Sequence, residues 1–259
     1  MSETSKKEIG AALFEGVRHV FFDLFDTLIE VDNSKLPTVV HGEHEFPSTA
    51  PAVLELVHER GHGHITLEQF VAEVIRQWQV IAKAKEKEWI EISALVRYEN
   101  IVHALELEVE GEESRRLAHE LVETHMRAIA RSTRAVEGAA ELLDRLHAKG
   151  IGVALISNFD YTPAADWILD HTGLQGRFDK VIISDALGLR KPHEKLFEDA
   201  MSHFGASPAD SLHIGDTALA DIWGAGRLGI RTVWINRKGE AFPHDEHAPS
   251  LEITRLAEL

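Results

Sequence analysis

Two hydrophobic periods divide this chain. Residues 17–24 (VRHVFFDL) form a β-branched and aromatic run with Asp23 at its end, which predicts a buried strand. Residues ahead of Gly16 read as a short tail or a first helix. Between Val31 and Gly63, Pro37, Pro47 and Pro51 interrupt any period, predicting irregular chain with a short helix near residues 52–60. A helical period opens at Thr66, which with Gln69 has the form of a capping box. Phe70, Val74, Trp78 and Ile81 then share one helical face. Further helices are predicted around residues 89–105 and 112–130, with Gly111 between them, so the middle third reads as a small helical bundle.

After Val136 the pattern alternates. Ala139, Leu142, Leu143 and Leu146 make a helical stripe that Gly150 suits as a C-terminal cap. Strand-like runs follow at 151–157 (IGVALIS), 181–184 (VIIS), 211–215 (SLHIG) and 231–235 (RTVWI), separated by helical patterns such as Leu196, Phe197, Ala200, Met201 and Phe204. Apolar strands alternating with helices predict a parallel sheet covered on both faces. The expected architecture is one α/β core, residues 1–30 and 135–259, interrupted by a helical insertion at 31–134. No internal repeat or low-complexity segment is present.

Composition narrows the partners. The 259 residues carry 27 Lys+Arg against 43 Asp+Glu, a net charge of −16, so a nucleic-acid backbone is repelled over most of the surface. A compact phosphorylated metabolite is not repelled in the same way, because a local site can oppose the global field. With no cysteine, disulfides, thiolate nucleophiles and cysteine-ligated metals are excluded. The first twenty residues do not read as a secretory signal and no run is long enough to span a membrane, so a soluble, cytoplasmic protein is expected.

In an open parallel sheet, ligands bind beyond the carboxyl ends of the strands. Asp23, Ser157, Lys191 and Asp216 fall at or just after such ends, together giving two carboxylates, a hydroxyl and an amine. Carboxylates hold Mg²⁺ through hard oxygen ligands, while a hydroxyl and an ammonium stabilise charge on a transferring anionic group.

Taken in order, these positions resemble the motifs of the haloacid dehalogenase superfamily. Asp23-Leu24-Phe25-Asp26-Thr27-Leu28 resembles its first motif and Ser157-Asn158-Phe159-Asp160 its second; Lys191, before Pro192, matches the third, and Gly215-Asp216-Thr217 with Asp221 the fourth. The resemblance implies a Rossmann-like parallel-sheet core with an inserted α-helical cap, and a hydrolase acting on a small-molecule substrate. It implies Asp23 as nucleophile and Mg²⁺ held by Asp23, the backbone carbonyl of Phe25, Asp216 and Asp221. Ser157, Asn158 and Lys191 are expected to hold the transferring group, and Thr27 to support the loop.

One departure shifts the expected chemistry. The family's phosphatases usually carry Asp two residues after the nucleophile as general acid and base, and here Phe25 stands there. Asp26 is not expected to substitute, because adjacent side chains on extended chain point to opposite faces. Phe25 favours a 2-haloacid dehalogenase, whose halide leaves without a proton, whereas Asp216 and Asp221 favour a Mg²⁺-dependent phosphatase. The metal carboxylates weigh more, because neutralising phosphate repulsion is the larger electrostatic problem. Phosphonate cleavage, with a cap lysine at 83, 85 or 87, ranks lower, since these alternate with Glu86 and Glu88 as on an exposed helix face. A fold that binds without turnover is the non-enzymatic alternative. His41, His44, His58, His62 and His64 match no ordered ligand scheme and read as solvated loop histidines. Trp78, Trp89 and Tyr98 read as cap packing, and Glu106, Glu108, Glu110, Glu112 and Glu113 as a solvated turn.

Overall fold

The computed structural model describes residues 13–107 and 111–259. Six parallel strands form its sheet: β1 (His19–Phe22), β6 (Gly152–Ser157), β7 (Lys180–Ile183), β8 (Ser211–Gly215), β9 (Arg231–Ile235) and β10 (Leu251–Ile253), in the order β10-β9-β8-β1-β6-β7. The chain fills one side of β1 with β6 and β7, then crosses to build β8, β9 and β10 on the other. That reversal places a topological switch point at β1, where α/β sheets bind ligands.

The strands are apolar on both faces, as a doubly covered parallel sheet requires. Val20 and Phe22 point into one core with Val153, Leu155, Leu212 and Ile214. Phe21 points into the other with Ala154, Ile156, Leu196 and Phe197. Phe21 and Phe22 are fully buried, each contributing about 1.5–3 kcal/mol of transfer free energy. The first strand, His19–Phe22, is shorter than the run 17–24 suggested, and the turn that follows is closed by Leu28 N and Ile29 N donating to Leu24 O.

Between β1 and β6 the chain leaves and rejoins the core through a two-stranded antiparallel ribbon, β2 (Ile29–Val31) with β5 (Thr133–Ala135). Residues 38–47, expected to be irregular, form a hairpin of β3 (Thr38–His41) and β4 (His44–Pro47). Gly42, at φ 61, supplies the left-handed turn between them, and Pro47 ends the second strand, so the prolines bound the hairpin rather than prevent it. Four helices follow: α1 (Ala50–Glu59), α2 (Leu67–Glu88), α3 (Ala94–Ala104) and α4 (Glu112–Ser132). The expected capping box is present, with Gln69 N donating to Thr66 Oγ1 at 3.2 Å and Thr66 N to Gln69 Oε1 at 2.8 Å. The helix expected from residue 89 begins at 94, with Ser93 as its cap. Residues 89–91 instead run along the core: Arg190 N donates to Trp89 O at 2.8 Å and Glu91 N to Gly188 O at 2.9 Å. Beyond the ribbon, α5 (Ala139–Ala148), α6 (Thr162–His171) and α7 (Glu194–Phe204) cover the sheet. No described helix is long and apolar enough to cross a membrane. The expected tail or first helix lies mostly in residues 1–12, outside the described residues, as do Glu108 and Glu110.

Candidate active site

The strand ends bring the expected groups together. Asp23 leaves β1 with its N–H donating to Ile214 O of β8 at 2.9 Å, which fixes its height above the sheet. Lys191 is 2% exposed, which excludes a solvated surface lysine. Its ammonium donates to Asp23 Oδ1 at 2.7 Å, Asp221 Oδ1 at 2.7 Å and Ile156 O at 2.6 Å, using all three of its protons. Asn158 pins the backbone of the same lysine: Lys191 N donates to Asn158 Oδ1 at 2.7 Å and Asn158 Nδ2 donates to Lys191 O at 3.0 Å. Ser157 ends β6, and its buried Oγ has no protein hydrogen-bond partner; Thr27 Oγ1 is buried in the same condition. An unpaired buried hydroxyl costs about 1–3 kcal/mol.

Asp221 sits in a turn of π-helix, Ala218–Trp223, that folds back under the end of β8. Gly215 makes room for it: a Cβ there would lie 2.3 Å from Asp221 Cγ. Besides Lys191, its carboxylate accepts from Thr217 N at 3.0 Å and from His213 Nε2 at 2.9 Å. His213 is fully buried and was not among the expected site residues. The readable signal was a lone titratable group inside the apolar run SLHIG.

Electrostatics separate the three carboxylates. Burial pushes Asp23 up to about 7, and the nearby Asp221 and Asp216 charges add to the rise against the pull of Lys191. Asp216 is pushed up to about 6 by burial and by the charges of Asp221 and Asp26. Burial also opposes the charge on Asp221, but Lys191 and the hydrogen bond from His213 outweigh it and hold that carboxyl below its usual range. Ligand oxygens of Asp23, Asp216 and Asp221 lie within 4.8 Å of one another. Three carboxylates facing one ammonium leave an excess of negative charge, and their hard oxygens fit a small divalent cation. Among the described residues no other His, Asp or Glu cluster has this geometry, the early histidines included.

Above the cluster opens a cavity of about 600 Å³, bounded on its far side by α2, α3 and the stretch between them. Three expectations change here. Trp78 and Trp89 are 61% and 36% exposed and line this cavity rather than packing within the cap; Tyr98 alone of the three is buried. Lys85 also leaves the exposed face assigned to it. It follows Trp78 and Ile81 at helical spacing, pairs closely with buried Glu91 and lies 3.8 Å from Asp160. Lys83 is exposed as expected, while the side chains of Glu86 and Lys87 lie outside the described residues. Finally, Asp26 adopts left-handed backbone at φ 56 and lines the cavity, so the chain after Phe25 is not extended. Arg97 of α3 donates to Asp160 Oδ2 at 3.2 Å, joining the helical segment to the loop after β6. Glu91 Oε2 accepts from Ser184 Oγ at 2.7 Å, a second such tie.

Known proteins resemble this chain in sequence and in fold. The chain is 38% identical over 104 residues to glyceraldehyde 3-phosphate phosphatase of Pyrococcus furiosus, covering 39% of this chain and 42% of that one. It is 32% identical over 141 residues to pyrimidine 5'-nucleotidase YjjG of Escherichia coli, covering 54% and 61%. It thus spans about two-fifths to three-fifths of the curated relatives it matches. In fold it is similar to the crystal structure of 2-haloacid dehalogenase from Pseudomonas syringae pv. Tomato, with a TM-score of 0.67, 21% identity and coverage of 93% and 96%. A family model for haloacid dehalogenase-like hydrolases matches residues 17–229, a span that runs from β1 past the turn carrying Asp221. The motif order, the sheet and this match lead to one conclusion: the chain belongs to the haloacid dehalogenase-like hydrolases.

Proposed function

We propose that the protein is a Mg²⁺-dependent phosphohydrolase of a small phosphorylated metabolite, working through an aspartyl-phosphate on Asp23. The observation that carries the reading is the gathering of Asp23, Asp216 and Asp221, of which one ammonium contacts only Asp23 and Asp221, a surplus of carboxylate that suits a divalent cation. Phosphatase and nucleotidase names among the relatives support it. Asp23, Asp216 and the Phe25 backbone carbonyl are the proposed ligands, with Asp221 anchoring the cluster from below. Bound there, Mg²⁺ supplies positive charge that lets an anionic nucleophile approach a phosphate dianion.

The chain's own groups do the rest. Lys191 holds Asp23 Oδ1, and among the described residues no donor reaches Oδ2, which leaves that oxygen for attack on phosphorus. Ser157 Oγ donates to an equatorial phosphoryl oxygen, and Asn158 keeps the Lys191 loop in register. Thr27 packs beneath the loop and leaves its shape to backbone bonds such as Leu28 N to Leu24 O at 2.9 Å.

Phe25 favours a second reading, displacement of halide from a 2-haloacid, because it offers no proton to a leaving oxygen. One experiment separates the two. Acetyl phosphate with Mg²⁺ is expected to phosphorylate the wild-type protein and not Asp23→Asn, as read by intact-mass spectrometry. Halide release from a 2-haloacid in chelator, without phosphorylation, would overturn the proposal; neither reaction would point to a scaffold that binds without turnover.

A further inference from the structure

Building on the phosphohydrolase reading, we infer that the substrate is the phosphate ester of a planar, uncharged, largely apolar hydroxyl compound, an aryl phosphate being the simplest case. Three independent features of the cavity converge on that leaving group. The first is its walls. Phe25 and Phe159 meet on the core side with ring centroids 5.2 Å apart, and Trp78, Ile81 and Trp89 stand on the helical side. Trp78 and Trp89 are among the few large apolar side chains left exposed in the described chain, and both open onto the space that holds Asp23. Indoles held against water in a concave site gain most from a flat apolar partner.

The second feature is charge. The helical segment sends two cations to the cavity, and each is committed: Lys85 to Glu91, and Arg97 to Asp160. They therefore offer little to a second anionic group on the departing part of the substrate. Arg190 also lines the cavity and has no carboxylate partner among the described residues, but it comes from the core, one residue before Lys191.

The third feature is the missing acid. With Phe25 where a proton donor would stand, the leaving oxygen has to carry its own charge, which a phenol-like oxygen does and an alkyl oxygen does not. The balance is as follows. A carboxylate oxygen of Asp23 bonds to phosphorus while the P–O bond to the leaving group breaks, its electron pair departing on the aryloxide. Water then attacks phosphorus, the bond to Asp23 breaks with its electrons returning to the carboxylate, and a proton of that water passes through solvent to the aryloxide. The products are a phenol and inorganic phosphate.

The test is a leaving-group series on the Mg²⁺-loaded protein: acetyl, 2-naphthyl, phenyl and cyclohexyl phosphates. Phenyl phosphate is expected to exceed cyclohexyl phosphate in kcat/KM by about 10²-fold or more. 2-Naphthyl is expected to exceed phenyl by about tenfold, since the added ring buries more apolar surface. Trp78→Leu and Trp89→Leu should erase most of the naphthyl preference, and Trp→Phe at the same positions should restore part of it. A flat series would mean that Asp26 or another group protonates the leaving oxygen, and would overturn the inference without any variant. So would a naphthyl preference that survives both Leu variants. If acetyl phosphate leaves no phosphate on the protein, the phosphohydrolase reading falls and takes this inference with it; phosphorylation with a flat series removes the inference alone.

Discussion

The two sides of the cavity are built on different principles. On the sheet side, charged groups converge from beyond the ends of three strands, β1, β7 and β8, and Lys191 ties two of them together across the sequence: it reaches Asp23 168 positions off and Asp221 30 positions off. On the helical side, cations are neutralised by nearby carboxylates and indoles are left uncovered. One side is strained electrostatically and spatially fixed; the other is close to neutral and presents surface. On the proposed reading, reactivity belongs to the sheet, and selection among substrates to the helices.

Changes on the two sides should accordingly differ in kind. The largest effect is expected from Asp216→Asn. It should lower phosphatase turnover about 10²–10³-fold and abolish the rise in melting temperature that Mg²⁺ is expected to give the wild type, a linkage that calorimetry reads directly. Phe25→Asp comes next, and it should improve function: turnover of alkyl phosphates is expected to rise by about 10²-fold in steady-state assays, with little gain for acetyl phosphate. A loss on both substrates would show instead that Phe25 is needed for packing against Phe159.

On the helical side the effects should be smaller and should fall on stability and KM. Arg97→Met removes the nearer of two cations from Asp160, leaving Lys85 at 3.8 Å, and should cost about 1–2 kcal/mol in urea unfolding, with KM changed more than kcat. The smallest effect at neutral pH concerns His125 of α4, which shares a 2.5 Å hydrogen bond with Thr49 Oγ1. Burial and the Arg97 charge push its imidazole down to about 3. The folded state then holds this ring neutral while the unfolded chain binds a proton near pH 6.5. Stability from this group is complete above pH 6.5 and declines as pH falls toward 3, by at most about 1.4 kcal/mol per pH unit. His125→Gln should flatten that slope in urea titrations run at several pH values.

The same contrast explains what could be read from sequence. Asp23, Ser157, Lys191 and Asp216 were legible because a parallel sheet forces strand ends together, so motif order alone implies convergence. His213 was hidden because a buried titratable residue in an apolar strand looks like a defect until its partner, Asp221, is seen folding back beneath Gly215. On the helices, Lys85 and Trp78 lay on a face whose period was clear, but periodicity does not say whether a face meets core or cavity. The start of α3 departs from the pattern for a related reason. Residues 89–91 are apolar and acidic enough to join a helix, yet backbone bonds to residues 188–190 draw them straight.

That short seam has a consequence for turnover. Trp89 and Glu91 are laced through their main-chain atoms to Gly188 and Arg190, directly ahead of Lys191. If the mouth opens by swinging the helices away, those stitches part, and the stretch that delivers the ammonium loses its outer support at the same moment. On the proposed reading, admitting a substrate and steadying Lys191 against Asp23 would then depend on the same two backbone bonds.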